Sequence, residues 1–209
     1  APDSVNPSLW RQAKLNNING LFEVTKGVYQ LRGFDLANIS LIQGKTGWIL
    51  VDPLTTAPTA RNALAFAREQ LGDQKISAII FTHSHIDHFG GIDGVLTDNE
   101  REQLQVIAPE GFMEEASSEN ILAGPTMQRR AQYMYGSRLE RSATGHVDTG
   151  LGKQPPFGGD IGILAPTHIV SQTGQTLTVD GVDIVFQYTP ASEAPAEMTF
   201  YIPQLKAFG

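Results

Sequence analysis

Hydrophobic and polar positions alternate in short segments from Leu21 onward. Two pairs of alternating segments are joined by turns that contain glycine: residues 22–24 with 28–31, and 38–43 with 48–51. Alternation with a period of two, interrupted by turn residues, is typical of β-hairpins. The pattern therefore predicts two hairpins of one sheet. Before them, the polar N-terminal stretch predicts only a short helix over 8–13.

The next segment changes to helical spacing. A hydroxyl cap at Thr56, with a proline in the first turn, opens a helix that continues over 60–71 and ends at Gly72. An apolar run over 76–81 then predicts a buried strand. Together with the strand over 48–52 these elements form a βαβ unit, whose crossover is expected to be right-handed. Such units keep their functional sites at the carboxyl ends of the strands.

The rest of the chain continues to alternate before it returns to strands. The predicted helices cover 90–96, 111–120 and 127–139, and the predicted strands cover 105–108, 176–179, 184–188 and 198–202. Residues 142–166 are rich in glycine and proline and follow neither period, which is typical of a lid, arm or binding loop. This order predicts an α/β fold in which two sheets pack face to face with helices outside, an αββα four-layer sandwich.

The domain organisation follows from length and pattern. Residues 1–20 are predicted to be an N-terminal connector and residues 21–209 one domain, since 41% hydrophobic content suffices for a single core. A turn over 203–206 follows the last predicted strand, and the sequence stops at 207–209, where a return strand is expected. We therefore expect a domain that is incomplete at its C-terminus and belongs to a longer protein.

Composition limits the classes of partner and site. A net charge of −7 argues against a nucleic acid partner, whose phosphates would require Lys and Arg. No apolar run approaches the roughly 20 residues of a transmembrane helix. Because the chain contains no cysteine, a metal site would have to be built from His, Asp and Glu.

A cluster of metal-binding side chains follows the apolar strand over 76–81. His83, His85, Asp87 and His88 lie within six residues and include three of the five histidines in the chain. Alternation along an extended chain places the first three on one side, and a tighter backbone would turn His88 towards a second ion. Imidazole with carboxylate suits zinc and its first-row neighbours. The cluster predicts a metal site, with a polar loop that binds no metal as the alternative.

Other residues near this cluster are less specific. Asp52 closes a strand at the same predicted sheet edge, where it would either orient a ligand imidazole or cap the next helix. Gly90 and Gly91 would let the backbone pass close to the site. His146 and His168 stay unassigned, because isolated histidines are mostly structural or face solvent.

Positive charges gather around two tyrosines in the helix predicted over 127–139. The arginines concerned are Arg129, Arg130, Arg138 and Arg141. We interpret them first as a solvated helix face, and the alternative is a surface that holds an anionic substrate or another subunit.

The segment Thr-His-Ser-His-Ile-Asp-His-Phe-Gly-Gly over 82–91 resembles the HxHxDH signature of the metallo-β-lactamase superfamily. The resemblance implies an αββα hydrolase fold with one or two metal ions. It implies that His83 and His85 bind one metal and that Asp87 and His88 bind the other.

A departure from the superfamily pattern indicates a particular branch. Most members have a further histidine in a Thr-Pro-Gly-His segment, whereas Thr-Pro-Ala-Ser-Glu-Ala-Pro-Ala-Glu over 189–197 has none. This segment resembles the alkyl sulfatase branch, in which a glutamate replaces that histidine, and so do the segments over 7–12 and 47–56. The resemblance implies Glu193 as the ligand, since it lies closest to the family histidine, and Glu197 as the alternative.

The resemblance also implies an activity. The expected enzyme is a zinc-dependent sulfuric ester hydrolase that cleaves small-molecule alkyl sulfates with a metal-activated water. Two zinc ions are expected in the complete protein, and Asp87 is the expected catalytic residue, which holds the second ion and orients the water. The family also supplies a bridging carboxylate and a final histidine from beyond this segment. A homodimer that is periplasmic or secreted is expected, with a cytoplasmic protein as the alternative.

Three other interpretations keep the same cluster. A lactonase, thioesterase or lactamase of this fold would normally carry histidine where Glu193 stands. A redox member would use iron and a flavin partner. A catalytically incomplete scaffold would retain metal ligands without turnover.

Overall fold

The computed structural model describes residues 1–153 and 159–209. The glycine- and proline-rich segment over 142–166 is irregular where it is described, apart from an isolated bridge between Arg141 and His146. Its residues Pro155, Pro156 and Gly158 lie outside the described part.

Helices and strands alternate along most of the chain. The α-helices of the described residues are α1 (Pro7–Asn16), α2 (Ala57–Leu71), α3 (Ile86–Phe89), α4 (Asp98–Arg101), α5 (Phe112–Ser117) and α6 (Gly124–Tyr135). A 3-10 helix covers Gly90–Gly94 and a π-helix covers Ser118–Leu122. The strands are β1 (Gly20–Thr25), β2 (Val28–Arg32), β3 (Ile39–Gln43), β4 (Trp48–Val51), β5 (Ile76–Ile80), β6 (Gln105–Pro109), β7 (His168–Val170), β8 (Thr176–Val179), β9 (Val182–Tyr188), β10 (Met198–Ile202) and β11 (Ala207–Phe208).

The larger sheet has its strands in chain order, β1 to β7. Strands β1 to β4 are antiparallel neighbours, which confirms both predicted hairpins. Strands β4 to β7 are parallel neighbours, and α2 connects β4 to β5 as the predicted βαβ unit. Because parallel strands end at the same edge of a sheet, the residues after β4 and after β5 are neighbours in space.

The second sheet has the order β11-β10-β9-β8 and is antiparallel throughout. It contains the strands predicted over 176–179, 184–188 and 198–202. The return strand expected at 207–209 is present as the two-residue β11.

Two hydrophobic cores separate the layers. One lies between the larger sheet and the helices, and includes Leu50, Leu64 and the stacked rings of Phe81 and Phe112, whose centroids are 5.0 Å apart. The other lies between the two sheets and includes Ile49 and Phe186. The described residues thus confirm two face-to-face sheets with helices outside the larger one. The core between the two sheets is formed by residues of strands and turns.

Several predicted helices have different ends or a different form. The helix predicted over 90–96 begins earlier, as α3, and continues as the 3-10 helix Gly90–Gly94. The helix predicted over 111–120 ends as the π-helix Ser118–Leu122. Thr56 precedes α2 as predicted, but its hydroxyl lies 2.9 Å from the Thr59 hydroxyl and makes no capping hydrogen bond to the backbone.

Gly90 and Gly91 allow a close approach of the backbone, here to the loop that follows β4. A Cβ at Gly90 would meet the carbonyl oxygen of Thr55, and a Cβ at Gly91 would meet that of Pro53. The Gly91 amide donates a 2.8 Å hydrogen bond to the Leu54 carbonyl. The glycines therefore allow the segment after the histidine cluster to pack on the loop that follows β4.

At the other end of the sheets, Asp180 joins the turn between β8 and β9 to the turn between β3 and β4. Its carboxylate accepts hydrogen bonds from the Thr46 amide at 2.9 Å and from the Gly47 amide at 3.1 Å. A Cβ at Gly44 would collide with this carboxylate, so glycine is required for the contact.

Among the described helices, none combines the length and the apolar character that crossing a membrane requires.

Candidate metal centre

The candidate site lies at the carboxyl edge of β4 and β5. Asp52 directly follows β4 and has a left-handed backbone with φ 55°, and Leu54 has φ 67°. Such a conformation is unfavourable for residues with a Cβ, although aspartate tolerates it better than most. This bend, the elbow of residues 52–54, turns the chain from β4 into α2 and leaves the Asp52 carboxylate beside the residues that follow β5.

Asp52 contacts two residues of the segment after β5. Its Oδ1 accepts a hydrogen bond from the Thr82 amide at 2.9 Å, and its Oδ2 accepts one from the Thr82 hydroxyl at 2.7 Å. Oδ2 also lies 2.8 Å from Nδ1 of His88. Of the two roles predicted for Asp52, the structure therefore shows the orientation of an imidazole, that of His88, and not the capping of a helix.

The hydrogen bonds of Thr82 define the state of His83. The Thr82 hydroxyl has one proton, which it donates to the Asp52 carboxylate, so it accepts at its 2.9 Å contact with Nδ1 of His83. Nδ1 of His83 therefore carries the proton, and Nε2 offers its lone pair. That Nε2 is buried without a hydrogen-bond partner among the described residues. Burial, followed by the positive charge of His88, lowers the pKa of His83, which favours the neutral ring.

The second sheet brings Glu193 to this edge. The Ser84 amide donates to the Ala196 carbonyl at 3.2 Å, and the Met198 amide donates to the Thr82 carbonyl at 2.9 Å. These bonds join the end of β5 to the start of β10. The loop before β10 consequently lies against the histidines.

His83, His85 and Glu193 form one compact group. One ligand atom from each lies within 4.8 Å of the others. The rings of His83 and His85 have centroids 4.8 Å apart, and Nδ1 of His85 lies 3.7 Å from Oε1 of Glu193. The structure therefore brings together the three residues that the sequence assigned to the first metal.

Glu197, the alternative ligand, stabilises the loop before β10. One of its oxygens, Oε2, accepts hydrogen bonds from the Ser192 hydroxyl at 2.6 Å and from the amides of Glu193 and Ala194 at 2.6 and 2.9 Å. Burial acts to raise its pKa, but these hydrogen bonds outweigh burial and hold the pKa of Glu197 below its usual value. Glu193 projects from the loop that Glu197 stabilises.

Asp87 and His88 form a second group next to the first. Nε2 of His88 lies 3.4 Å from Oδ2 of Asp87, and the His88 ring centroid lies 3.9 Å from that of His83. Burial opposes the charged forms, but Asp52 and then Asp87 raise the pKa of His88 to about 10. The hydrogen bond and charge of His88 in turn hold the pKa of Asp87 below its usual value. Because only neutral imidazole binds a metal, ion binding at His88 requires loss of this proton.

The residues present fit a divalent cation. A buried imidazole nitrogen with a free lone pair is costly unless something binds it, and Nε2 of His83 is such an atom. His85 and Glu193 supply the nitrogen and oxygen of a mixed set that suits zinc. Asp87 and His88 add a pair of ligands for a second ion, whose further ligands would have to come from elsewhere.

A cleft of about 460 Å³ opens beside Asp87 and His88. Apolar side chains on its walls include Leu36, Leu151 and Phe200. The cleft therefore has a polar end at Asp87 and His88 and an apolar wall.

The unassigned residues lie away from the group of ligands. His146 is buried, with Nδ1 3.0 Å from the Tyr135 carbonyl oxygen, and His168 lies exposed on β7. Arginines 129, 130, 138 and 141 are all exposed, and α6 has no buried residue, in agreement with a solvated helix face.

Two residues of the site were missed by sequence reasoning. Thr82 connects Asp52 to His83, and Glu119 places Oε1 3.7 Å from Nε2 of His85. The adjacency of Thr82 to His83 was a usable signal, whereas nothing in the spacing of Glu119 distinguishes it from the other acidic residues of its helix.

Comparisons with known proteins agree with this geometry. The model of the metallo-β-lactamase superfamily matches residues 32–100. The alkyl/aryl-sulfatase BDS1 of Saccharomyces cerevisiae is 47% identical over 204 residues, which are 97% of this chain and 31% of that protein. A linear primary-alkylsulfatase of Pseudomonas sp is 46% identical over 209 residues, 99% of this chain and 31% of that protein.

A solved structure extends the comparison to three dimensions. The stereoselective inverting sec-alkylsulfatase Pisa1 of Pseudomonas sp. superposes with a TM-score of 0.94 at 48% identity, over 100% of this chain and 33% of that one. The chain thus spans about a third of the length of the relatives that it matches.

Proposed function

Since the chain belongs to the metallo-β-lactamase superfamily, we propose that the protein is a zinc-dependent alkyl sulfatase, which hydrolyses sulfate esters of alkyl chains. The observation that carries the proposal is the grouping of Glu193 with His83 and His85. Relatives that are 46–47% identical over nearly the whole chain and are described as sulfatases support the substrate class.

The proposed metal centre holds two zinc ions. His83, His85 and Glu193 would hold the first, and Asp87 and His88 would contribute to the second. Bound zinc supplies a Lewis acid that lowers the pKa of a water molecule towards neutrality. Ligands from outside these residues are needed to complete the second ion.

The chain's own residues have separate roles in this proposal. Asp87 holds the attacking water in place through its ionised carboxylate. Asp52 fixes the ring of His88, and Thr82 fixes the ring of His83. Rigid orientation of the reacting groups lowers the barrier by removing the need to reorganise during the reaction.

The cleft beside the ion-binding residues is proposed to receive the alkyl chain. Leu36, Leu151 and Phe200 would cover its apolar surface, while the sulfate end lies at Asp87 and His88. This arrangement explains how one site would bind an ester with a charged head and an apolar tail.

Three further properties of the protein are proposed from the family resemblance. These are a homodimer, a periplasmic or secreted location, and the division into a connector over residues 1–20 and a catalytic domain over 21–209. The domain division is supported by β1, which begins the larger sheet at Gly20.

The test combines zinc content and sulfate release in the same samples. Zinc is measured by elemental analysis, and sulfate release from dodecyl sulfate is assayed, for the purified wild type, His83→Ala and Glu193→Ala. Glu114→Ala, which removes an exposed glutamate from α5, is the control. We expect zinc and sulfate release in the wild type and the control, and a loss of both in the two site variants.

Two outcomes would contradict the proposal. A zinc-loaded wild type that releases no sulfate, but cleaves a lactone, thioester or lactam, would assign a different hydrolase activity. Zinc that is retained in full by Glu193→Ala would remove Glu193 from the ligand set and with it the main support for the sulfatase branch.

A further inference from the structure

We propose that Glu119 is a positioning residue for the metal centre: its carboxylate accepts the Nε2–H of His85, so that Nδ1 of the same ring faces the metal. This inference rests on the proposed metal at His83, His85 and Glu193, and it assigns a role to a residue outside that ligand set.

The His85 ring lies between two carboxylates. Nε2 is 3.7 Å from Oε1 of Glu119, and Nδ1 is 3.7 Å from Oε1 of Glu193. In a neutral imidazole one nitrogen carries a proton and the other a lone pair. One carboxylate therefore faces the donor and the other faces the side that would bind a cation, and only Glu193 shares a compact group with His83.

The Glu119 carboxylate has an unused oxygen. Its Oε2 is buried and has no hydrogen-bond partner among the described residues. A buried oxygen without a donor is unfavourable even in a side chain that is 31% exposed, so a nearby N–H is expected to be drawn to this carboxylate. The Nε2–H of His85 lies 3.7 Å from the other oxygen, Oε1, and a small rotation of either side chain would bring it within hydrogen-bond distance of the carboxylate.

The other two histidines show the same arrangement. Nδ1 of His83 is held by the Thr82 hydroxyl at 2.9 Å, and Nδ1 of His88 by Asp52 at 2.8 Å. In each ring one nitrogen has a partner that is not in the ligand set, and the other nitrogen is left for the site. Glu119 would complete this pattern for His85. In His85 the nitrogen beside the partner is Nε2 rather than Nδ1, so Nδ1 is left for the site. Partners of this kind fix the tautomer of a ligand histidine and its orientation.

The backbone around Glu119 brings it to the site. Strand β6 ends at the same edge as β5, α5 follows it, and the chain then widens into the π-helix Ser118–Leu122. π-Helical turns are rare, and those within helices are frequently found at functional sites. Asn120, the next residue, directs its amide to the Ala116 carbonyl at 2.7 Å, which stabilises this turn.

The first test is zinc affinity, measured with a competing chelator on the purified protein. Glu119→Ala removes the acceptor and is expected to weaken zinc binding by about 10- to 100-fold, the usual effect of losing such a partner. Glu119→Gln keeps an amide oxygen that accepts the same N–H, so it is expected to restore much of the affinity. Glu114→Gln, an exposed change on α5, should leave the affinity unchanged. Thermal unfolding without zinc checks that each variant is folded.

The second test identifies the nitrogen that binds zinc. In protein with ¹⁵N-labelled histidine, the zinc-loaded wild type is expected to show His85 with zinc on Nδ1 and a proton on Nε2. Glu119→Ala is expected to broaden or shift the Nε2–H signal of this residue. If Glu119 acted only in folding, its replacement would change neither the His85 nitrogen that binds zinc nor the exchange of the proton on the other nitrogen.

Three results would overturn the inference and leave the metal centre in place. They are an unchanged zinc affinity in Glu119→Ala, zinc on Nε2 of His85, and a loss of zinc stoichiometry as complete as in His85→Ala, which would make Glu119 a ligand. A wild type that binds no zinc would overturn the inference together with the metal centre. A wild type that binds zinc with these properties but releases no sulfate would contradict the proposed function alone.

Discussion

Oδ2 of Asp52 lies 2.8 Å from Nδ1 of His88, although 36 residues separate the two in the sequence. The contact exists because β4 and β5 are parallel neighbours and end at the same edge. The same oxygen accepts the Thr82 hydroxyl proton, and Thr82 in turn accepts from His83. One carboxylate therefore orients two histidines, one directly and one through a hydroxyl group.

Asp52→Asn is expected to weaken zinc binding by about 10- to 100-fold and to leave the fold intact. Asparagine tolerates the left-handed backbone of this position and keeps one acceptor oxygen, but it loses the charge that supports His88. Chelator competition measures the affinity. Asp98→Asn, at a side chain fully exposed on α4, is the control. Equal affinities in both variants would show that Asp52 has no influence on the metal.

Glu193→Gln is expected to affect zinc binding, whereas Glu197→Gln is expected to affect the stability of the fold. Glu193→Gln should reduce zinc stoichiometry while thermal stability without zinc stays unchanged, because the Glu193 side chain is 69% exposed. Glu197→Gln should lower the free energy of unfolding by about 1–2 kcal/mol, because three hydrogen bonds lose a charged acceptor. Elemental analysis and urea unfolding measure the two effects. Zinc loss in Glu197→Gln alone would reverse the assignment of the ligand.

The Asp180 carboxylate predicts a pH dependence of stability away from the metal centre. Burial acts to raise its pKa, but the amide hydrogen bonds from Thr46 and Gly47 hold the pKa of Asp180 below its usual value. A carboxylate with a lowered folded-state pKa stabilises the fold above its unfolded-state pKa, and this contribution is lost as pH falls through the lower, folded-state value.

Asp180→Asn is therefore expected to lower the free energy of unfolding by about 1–2 kcal/mol at pH 7. The difference from the wild type should shrink below pH 4 and vanish at the lowest pH at which the protein remains folded. Urea unfolding between pH 7 and pH 3 measures it. A difference that stays constant over this range would contradict a role for the ionised carboxylate.

Gly91→Ala is expected to destabilise the protein by about 2–4 kcal/mol. The added methyl group would meet the Pro53 carbonyl oxygen and lie 2.8 Å from Cβ of Ala60, both in well-packed surroundings. Gly124→Ala is the matched control, because nothing lies within 4 Å of its Cβ and a helical alanine is favourable there. Thermal unfolding compares the two, and a Gly91→Ala variant as stable as Gly124→Ala would contradict the close packing.

The two hairpins, the βαβ unit and the histidine cluster could be predicted because their signals are local, whereas the short strand β7 was not predicted. His83, His85, Asp87 and His88 are contiguous and follow an apolar strand, so periodicity alone placed them at a strand end. Glu193 needed a family resemblance, since its position depends on the pairing of residues 82–84 with 196–198. That pairing joins two sheets and leaves no mark on the spacing of the residues.

The remaining features depend on backbone geometry that short sequence windows do not encode. The π-helix that presents Glu119 lies in a segment with an ordinary helical pattern. The early start of α3 and its 3-10 continuation depend on glycines that pack on the loop after β4, a contact between two distant segments. The left-handed φ of Asp52 is likewise set by the crossover from β4 to α2.

The elbow of residues 52–54 limits which substitutions the chain can accept, because both of its left-handed residues have side chains that the fold needs. Glycine would relax the left-handed backbone at either position. At Asp52, however, it would remove the acceptor of His88, and at Leu54 it would empty a site in which the side chain is fully buried. Glycine at 52 is therefore expected to lower thermal stability as well as zinc affinity, because the Thr82 amide, the Thr82 hydroxyl and Nδ1 of His88 would all lose their buried partner. Mutational tolerance should be narrowest at this bend, although neither residue belongs to the ligand set.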